Sequence, residues 1–376
     1  MFAVFCKSLF FHLGWWLASL WPGRHEGAPL GLRRLIFLLL GYPAFLALQS
    51  IHWIGFLLDE IFFSAYRRVE IETPVFIVGI PRSGTTFLHR TLATVEGYTS
   101  LNTWEALLAP SITERKLIRF LAALDRAIGA PSQRLIHWAF RKGSSDFNAI
   151  HEVGLEAPEE DYLTLLPVGH CFILSLAFPF SKKLSDLAQL DQLPENERRA
   201  IVQFYKRCLQ KHLYCHPGKR LLSKNAAFSS WTADLQAAFP KAKFLVSIRE
   251  PDTALSSQLS SLAPARQLFG ADPDGQHTAA RFTQHYAHAY QNLAQFVEDS
   301  DLGQVAVIAQ SELKQSPART IRTALEKTGL AIPAGLEALQ PSPSSKHHHQ
   351  PDGHSTDHEK IKHCMRPAYE AMLRSR

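Results

Sequence analysis

The hydrophobic pattern divides the chain at about residue 70. Before that point lie two long apolar segments, Phe2 to Leu20 and Leu35 to Phe63, separated by a basic stretch with glycine and proline. Beyond it, short apolar runs rich in β-branched residues alternate with longer stretches of helical spacing, which is the pattern of an α/β domain. Proline and glycine between Pro264 and Gln276 predict a loop there. We expect strands to end at Gly79, Ser223, Ile248 and Ile308, and helices over residues 195–212, 278–298 and 317–328.

The first of these strands leads into a loop suited to an anion. Gly79 and Gly84 bracket four residues, and Thr85 and Thr86 follow at the start of a helix, which is the spacing of a phosphate-binding loop. Glycines let backbone N–H groups approach an anion closely, and the helix N-terminus adds unpaired donors and the positive end of its dipole. This stretch therefore predicts an oxyanion site, and the alternative is an ordinary strand-to-helix turn.

The loop departs from the nucleotide triphosphatase pattern at one position. After the second glycine that pattern has a lysine that reaches the β- and γ-phosphates, and this chain has Thr85. The fixed cation is Arg82, inside the loop, and its planar guanidinium suits two oxygens of a phosphate or sulfate. The sequence therefore argues against ATP hydrolysis and favours a differently substituted phosphate ester.

Two motifs resemble the donor site of the sulfotransferases, enzymes that use 3′-phosphoadenosine 5′-phosphosulfate (PAPS). The loop resembles the 5′-phosphosulfate loop of that family. By this resemblance the donor-binding residues of the loop are Arg82, Ser83, Gly84, Thr85 and Thr86. Residues 242–251 resemble a second donor motif, a strand that ends at an arginine, and the resemblance assigns Arg249 and Ser257 to the 3′-phosphate of the donor. In the family, Arg-Asp-Pro is frequent where this chain has Arg-Glu-Pro. The resemblance extends in order over residues 73–330.

The same resemblance, to the branch that includes the tyrosylprotein sulfotransferases and many bacterial homologues, supplies candidates for the chemistry. Lys224 ends a short strand and corresponds to a lysine near the transferring sulfonate. Glu105, in a Trp-Glu pair soon after the loop, resembles the glutamate that takes the proton from the attacking hydroxyl. His151 is the second candidate for this base, because histidine has that role in the cytosolic branch. A Pro-Glu-Glu-Asp segment at residues 158–161 also occurs in bacterial members, and its carboxylates either bind a metal or cap a helix.

These observations predict a P-loop-like, three-layer α/β fold with a mainly parallel sheet and helices on both faces. The strand ends would place Arg82, Lys224 and Arg249 at one edge of the sheet, where α/β proteins usually bind ligands. The implied reaction is in-line transfer of a sulfonate group from PAPS to a hydroxyl, with no metal required because cations already clamp the leaving group. One alternative is a nucleotide-dependent kinase, which would need Mg²⁺ and the absent lysine. Another is a membrane-associated nucleotide-binding protein without turnover.

Charge and cysteine content narrow the function classes. A net charge of +6 over 376 residues suits an anionic donor or an anionic membrane surface. The sequence has no helix-turn-helix pattern, zinc finger or basic stripe interleaved with aromatic residues, so we expect no nucleic acid partner. The five cysteines include no close pair, which indicates a reducing compartment rather than a disulfide framework.

The N-terminal region predicts contact with a membrane. Both apolar segments reach the roughly 20 residues that a spanning helix needs. Tryptophans near segment ends and polar interruptions favour helices that lie in one leaflet over spanning helices, and packing as ordinary buried helices is the remaining alternative. We therefore divide the chain into a membrane-associated region (residues 1–70), a sulfotransferase domain (71–340) and a tail (341–376) whose histidines favour a flexible loop over a zinc site. Membrane proximity, on the cytoplasmic face where PAPS is available, makes a lipid or amphipathic alcohol the attractive small-molecule acceptor.

Overall fold

The core of the structure is a five-stranded sheet in which every strand is parallel to its neighbours. The computed structural model describes residues 2–21, 27–131, 134–135, 138, 154–341 and 358–376, so His151 and most of the histidine-rich stretch lie outside the described residues. The strands are β1 (Val75–Gly79), β2 (Tyr98–Thr99), β3 (Arg220–Lys224), β4 (Lys243–Ile248) and β5 (Val305–Ala309). Their order is β2-β3-β1-β4-β5, with β1 at the centre, so the prediction of a parallel α/β sheet is confirmed.

Helices connect and cover these strands. The chain starts with α1 (Phe2–Ser19) and α2 (Leu32–Phe62), which contains a π-helical turn at Phe37–Gly41. The numbered helices that follow are α3 (Thr85–Ala93), α4 (Thr103–Leu107), α5 (Ile112–Ala127), α6 (Glu195–Cys215), α7 (Thr232–Ala238), α8 (Pro251–Phe269), α9 (Gln276–Asp299), α10 (Gln310–Gln315), α11 (Pro317–Thr328) and α12 (Arg366–Arg374). Short helical turns lie between α5 and α6 at Leu174–Ala177 and Lys182–Asp186.

The sheet separates two hydrophobic cores, which makes the fold three-layered. Successive side chains of a strand point to opposite faces. Accordingly Phe76 and Val78 of β1 join the larger core, together with α6 and α9, whereas Val75 and Ile77 join the smaller core with α3 and α11. Strands buried on both faces read as continuous apolar runs, and this is why the sequence pattern identified them.

The register of the strands sets the position of the candidate site. Gly79 at the end of β1 is level with Ser247 of β4, and Ile77 is level with Lys224 of β3. Because the strands are parallel, the loop after β1, the end of β3 and the residue after β4 meet at the same edge of the sheet. This is the edge predicted for Arg82, Lys224 and Arg249.

The prediction of a loop from Pro264 to Gln276 is wrong for its first part, because α8 continues through Pro264 to Phe269. Leu262 and Arg266 are buried, so tertiary packing outweighs the local penalty of a proline inside a helix. The helix ends at Gly270, which has a left-handed backbone (φ +57°), and a Cβ there would lie 2.6 Å from the backbone nitrogen of Arg34. This glycine therefore allows α2 to approach closely.

The two N-terminal helices pack against each other and against the α/β domain. Trp53 of α2 donates from its indole nitrogen to the carbonyl of Pro167 at 3.0 Å, and Trp16 of α1 donates to the carbonyl of Leu38 in α2 at 2.7 Å. Tyr42 and Phe56 of α2 are buried in the same core as β1. By length and composition α2 could also cross a membrane, a property that buried helices and signal sequences share.

Candidate active site

The loop after β1 has the backbone geometry of an anion-binding turn. Gly79 has φ +143°, and a Cβ at this position would lie 2.0 Å from the carbonyl oxygen of Ser247, so only glycine fits. The next residue, Ile80, donates its N–H to that same oxygen at 3.0 Å. Gly84 then adopts a left-handed conformation and begins α3. The loop thus turns tightly against β4 and presents the free N–H groups of a helix N-terminus.

Arg82 connects the loop to the second donor motif. It has φ +68°, a conformation that is strained for a residue with a Cβ. Its carbonyl accepts hydrogen bonds from Arg249 Nη1 and Gln310 Nε2, both at 2.9 Å, and its own Nε donates to Ser257 Oγ at 3.2 Å. The structure therefore brings together Arg82, Arg249 and Ser257, three predicted donor-binding residues that are distant in sequence.

The two arginines form a concentrated positive charge. Burial and the neighbouring charge of Arg82 lower the pKa of the Arg249 guanidinium. Lys314 of α10 also belongs to this environment, because partial burial and the charge of Arg249 lower its pKa. Neighbouring cations are stabilised when an anion binds between them, and such a group suits a phosphate or sulfate ester.

Two tyrosines of α9 donate hydrogen bonds to backbone carbonyls next to these arginines. Tyr286 donates to the carbonyl of Pro81 at 3.3 Å, and Tyr290 donates to the carbonyl of Arg249 at 2.5 Å. The sequence predicts their helix, but it indicates no role for either tyrosine or for Gln310. Their signal is weak in sequence, since a tyrosine on a buried helix is usually a packing residue.

The remaining loop residues lie at the start of α3. Ser83 is buried, its carbonyl accepts from Ser247 Oγ at 2.8 Å, and its own hydroxyl has no hydrogen-bond partner among the described residues. Thr85 is buried at the first turn of α3. Thr86 lines an open cavity of about 540 Å³ beside α3, closed on the other side by residues 333–336 and Leu339. The residues that line this cavity do not include Arg82, Arg249 or Ser257.

Lys224 is buried at the end of β3 and paired with an acid. Its ammonium group donates to Glu160 Oε1 at 2.8 Å and lies 4.0 Å from Glu159 Oε1. His89 of α3 is close enough that burial and the charge of Lys224 lower its pKa to about 3, which keeps this histidine neutral. Lys224 therefore lies beside the helix that follows the loop, as the predicted role requires.

The acidic segment at residues 158–161 anchors this lysine. Asn225 donates from its side-chain amide to Asp161 and accepts from the backbone N–H of Tyr162 at 3.1 Å. Burial raises the pKa of Asp161 to about 6. The sequence analysis considered metal binding or helix capping for this segment, whereas the structure pairs Glu160 with Lys224 and Asp161 with Asn225.

Glu105 lies in a different environment from Lys224. It is 1% exposed, and its carboxylate oxygens are 3.3 Å from His212 Nδ1 and 3.6 Å from Arg119 Nη2. Burial opposes its charge, but the hydrogen bond from His212 and the charge of Arg115 outweigh burial and lower the pKa of Glu105 to about 2. It also completes a capping box with Asn102 at the start of α4. Its contacts are with α4, α5 and α6, and none is with Lys224 or the loop.

Glu105, His212 and His216 have the composition of a metal site, with ligand atoms within 4.8 Å of one another. However, Arg115 Nη1 is 3.2 Å from His212 Nδ1, and Arg119 Nη2 is 3.4 Å from His216 Nε2. Two guanidinium groups thus lie against the ring nitrogens that a metal would need, and their charge would repel a dication. The arrangement is an ion network around a buried carboxylate.

The fold and the loop after β1 define a class of protein, a P-loop-like α/β protein with a loop suited to an anion at the carboxyl edge of its sheet. A family model described as the sulfotransferase family matches residues 74–334, and the chain belongs to this family. This membership supports a sulfotransferase over the kinase alternative. No curated protein sequence matches the chain.

Two solved structures resemble the whole chain. The sulfotransferase STF1 from Mycobacterium tuberculosis has a TM-score of 0.65 and 17% identity, over 97% of this chain and 92% of that chain. The sulfotransferase STF9 from Mycobacterium avium has a TM-score of 0.63 and 15% identity, over 86% of this chain and 81% of that chain. At this identity the likeness concerns the fold alone. Since the first alignment extends far beyond residues 74–334, the N-terminal helices belong to the shared fold.

Proposed function

We propose that the protein transfers a sulfonate group from PAPS to a hydroxyl group. The observation that carries this proposal is the contact between the two donor motifs, in which Arg82 bonds to Ser257 and Arg249 bonds to the loop carbonyl. PAPS carries two anionic groups, a 5′-phosphosulfate and a 3′-phosphate. The loop N–H groups, Arg82 and the paired threonines would bind the first group, and Arg249 with Ser257 would bind the second.

Lys224 is proposed to stabilise the charge that develops during transfer. PAPS supplies the sulfonate: the acceptor oxygen bonds to sulfur, the bond from sulfur to the 5′-phosphate oxygen breaks, and 3′-phosphoadenosine 5′-phosphate leaves. Lys224 is fixed by a strand end and by Glu160, so it is preorganised beside the loop helix. Preorganised charge of this kind is usually the largest single contribution to lowering a barrier.

A base must accept the proton of the acceptor hydroxyl. The hypothesis for Glu105 remains a prediction, and its surroundings favour a structural role, because a buried carboxylate with a pKa of about 2 that lies close to two guanidinium groups is a weak base. We propose Glu160 instead. It is a partly exposed carboxylate at the end of the sheet, in contact with the lysine assigned to the sulfonate.

The acceptor is proposed to be a lipidic or amphipathic alcohol, with the protein on the cytoplasmic face of a membrane. The support is positional, because apolar N-terminal helices are packed directly on the catalytic core. An acceptor dissolved in the bilayer surface would reach an enzyme held there.

Calorimetric binding of 3′-phosphoadenosine 5′-phosphate tests the donor site directly. We expect micromolar binding that requires the 3′-phosphate, is lost in Arg249→Ala, and is unchanged in Arg199→Ala, an exposed arginine on α6. Adenosine 5′-phosphate and Mg·ATP serve as comparison ligands. Absence of binding, or a preference for Mg·ATP, would overturn the assignment of PAPS as donor.

A further inference from the structure

Helix α2 exposes an apolar side to its surroundings and holds its polar residues on the buried side, next to Leu38, Trp53 and Phe56. Its buried residues include four that are polar or charged, namely Arg34, Gln49, His52 and Asp59. Apart from Arg33 near its start, the exposed large side chains of this helix are aliphatic or aromatic. They are Leu32, Leu35, Ile36, Leu39, Leu40, Ile51, Ile54, Ile61 and Phe62. A helix that faces water normally shows the opposite arrangement.

The exposed side of α2 carries no charged residue between Leu35 and Ile54. At 1.5 Å per residue this stretch is roughly 30 Å long, so the apolar surface is extended rather than a local patch. Scattered exposed leucines are ordinary on soluble proteins, but a continuous apolar face of this length indicates a binding surface.

Helix α1 has the same arrangement of buried polar and exposed apolar residues. Ser8, His12 and Ser19 are buried against the protein, whereas Phe10 and Leu17 are exposed by 76% and 60%. His12 bonds through its ring nitrogens to the hydroxyl of Tyr42 in α2 and to the carbonyl of Leu166. Helix α1 packs on α2, and both helices hold these polar residues against the protein while they expose large apolar side chains.

The buried polar groups of α2 also fix its orientation. Arg34 donates to the carbonyl of Ala177 at 2.5 Å, and His52 Nδ1 lies 2.6 Å from Glu114. Asp59 accepts from two backbone N–H groups at the start of α5 and pairs with Lys211 at 2.7 Å. These contacts occur at both ends of the helix. A spanning orientation would break them and leave a buried arginine and aspartate in hydrocarbon, which is strongly unfavourable.

The exposed charges next to the apolar face have one sign. Among the described residues 2–21 and 27–68, the exposed charged side chains are Lys7, Arg33, Arg67 and Arg68, and the exposed acids Glu70 and Glu72 follow only beyond this stretch. The acids of these ranges point elsewhere, since Asp59 is buried and Glu60 is mostly covered and bonded to Arg67. An apolar surface bordered by cations is complementary to a bilayer that contains anionic lipids.

We propose that α1 and α2 together form an in-plane membrane-binding face, which lies in one leaflet of an anionic phospholipid bilayer and holds the catalytic domain at its surface. Trp21, exposed by 65% after α1, would lie at the headgroup level, where tryptophan is favoured. This inference concerns membrane attachment and stands independently of the donor and the acceptor.

Vesicle flotation of the full-length protein tests the face. We expect the wild type to float with vesicles of phosphatidylcholine and phosphatidylglycerol, less with phosphatidylcholine alone. The double variant Leu40→Gln, Ile54→Gln should lower the partition coefficient at least about tenfold, because two side chains lose apolar burial. Leu302→Gln, at a residue exposed by 99% far along the chain before β5, is the matched control and should float like the wild type. Equal thermal melting of the variants would establish that all of them are folded.

Two further outcomes would overturn the proposal. Retention of the protein on vesicles after carbonate extraction at alkaline pH would indicate spanning rather than in-plane helices. A wild type that does not bind vesicles, or whose dimer in gel filtration with light scattering becomes a monomer in the double variant without vesicle binding, would assign the face to a second copy of the chain.

Discussion

The environment of Glu105 makes it possible to distinguish by mutation whether this carboxylate has a structural or a catalytic role. The perturbation is Glu105→Gln, which keeps the size of the side chain and removes its charge. In the wild type, Arg115 and Arg119 surround this carboxylate and His212 donates to it. Removal of the charge leaves the buried guanidinium of Arg115 without its counter-ion, so we expect the variant to be less stable at neutral pH.

The magnitude follows from the pKa. A carboxyl whose pKa falls from 4.5 in the unfolded chain to about 2 in the folded protein contributes about 3 kcal/mol to stability. Because the folded pKa is the lower one, this contribution is complete above about pH 5.5 and is lost as the pH falls toward 2. By pH 4 it should already have decreased by about 1 kcal/mol. The difference between wild type and Glu105→Gln should therefore narrow on acidification.

The assay is urea unfolding followed by tryptophan fluorescence at pH 7 and pH 4, with the m-value checked for constancy. Glu195→Gln, at an exposed residue on α6, is the control and should change the free energy of unfolding by less than about 0.5 kcal/mol. Glu160→Gln still leaves Glu159 4.0 Å from Lys224, so its loss of stability should be smaller than that of Glu105→Gln, and it should lower the rate of transfer from PAPS by a hundredfold or more.

One result would refute this reasoning. If Glu105→Gln unfolds within about 1 kcal/mol of the wild type but transfers sulfonate a hundredfold more slowly at unchanged donor affinity, Glu105 is the base. The interpretation of its ion network as structural would then be wrong, and Glu160 would lose its proposed role.

Three other predictions concern the loop and the end of β3. Lys224→Ala should lower kcat by hundreds-fold, from the loss of about 3–4 kcal/mol of transition-state stabilisation, and a kcat within a few-fold of wild type would remove Lys224 from the mechanism. Gly79→Ala should yield no folded protein in expression and circular dichroism, since its Cβ would meet the Ser247 carbonyl at 2.0 Å, whereas Gly97→Ala has no atom within 4 Å and should fold with a loss of about 1–3 kcal/mol. The folded pKa of Asp161 is above its ordinary value, so its ionisation destabilises the protein as pH rises from about 4 to 6. Asp161→Asn should therefore melt higher than wild type at pH 8 and not at pH 4, and equal melting temperatures at both values would contradict the raised pKa.

Local sequence patterns predicted a large part of this fold. The strand that ends at Gly79 and the helix Pro317–Thr328 were both identified, because apolar runs, a proline at the first turn and a glycine after the last turn act within a few residues. The resemblance of two short motifs further indicated that Arg82, Arg249 and Ser257 share a ligand, and the parallel sheet brings these residues into contact.

The sequence by itself determined four of the five strands, the loop after β1 and the presence of two apolar N-terminal helices, since backbone preference and hydrophobic period are local properties. The two-residue strand β2 has no such local pattern. Only the tertiary structure decided which side chains pair with each other. It placed Glu160 against Lys224, enclosed Glu105 among cations and carried α8 through Pro264. It also decided which side of α2 faces the protein. Hydropathy measures how apolar a segment is, but long-range contacts select the face that is buried, and here that face includes the polar residues Arg34, His52 and Asp59.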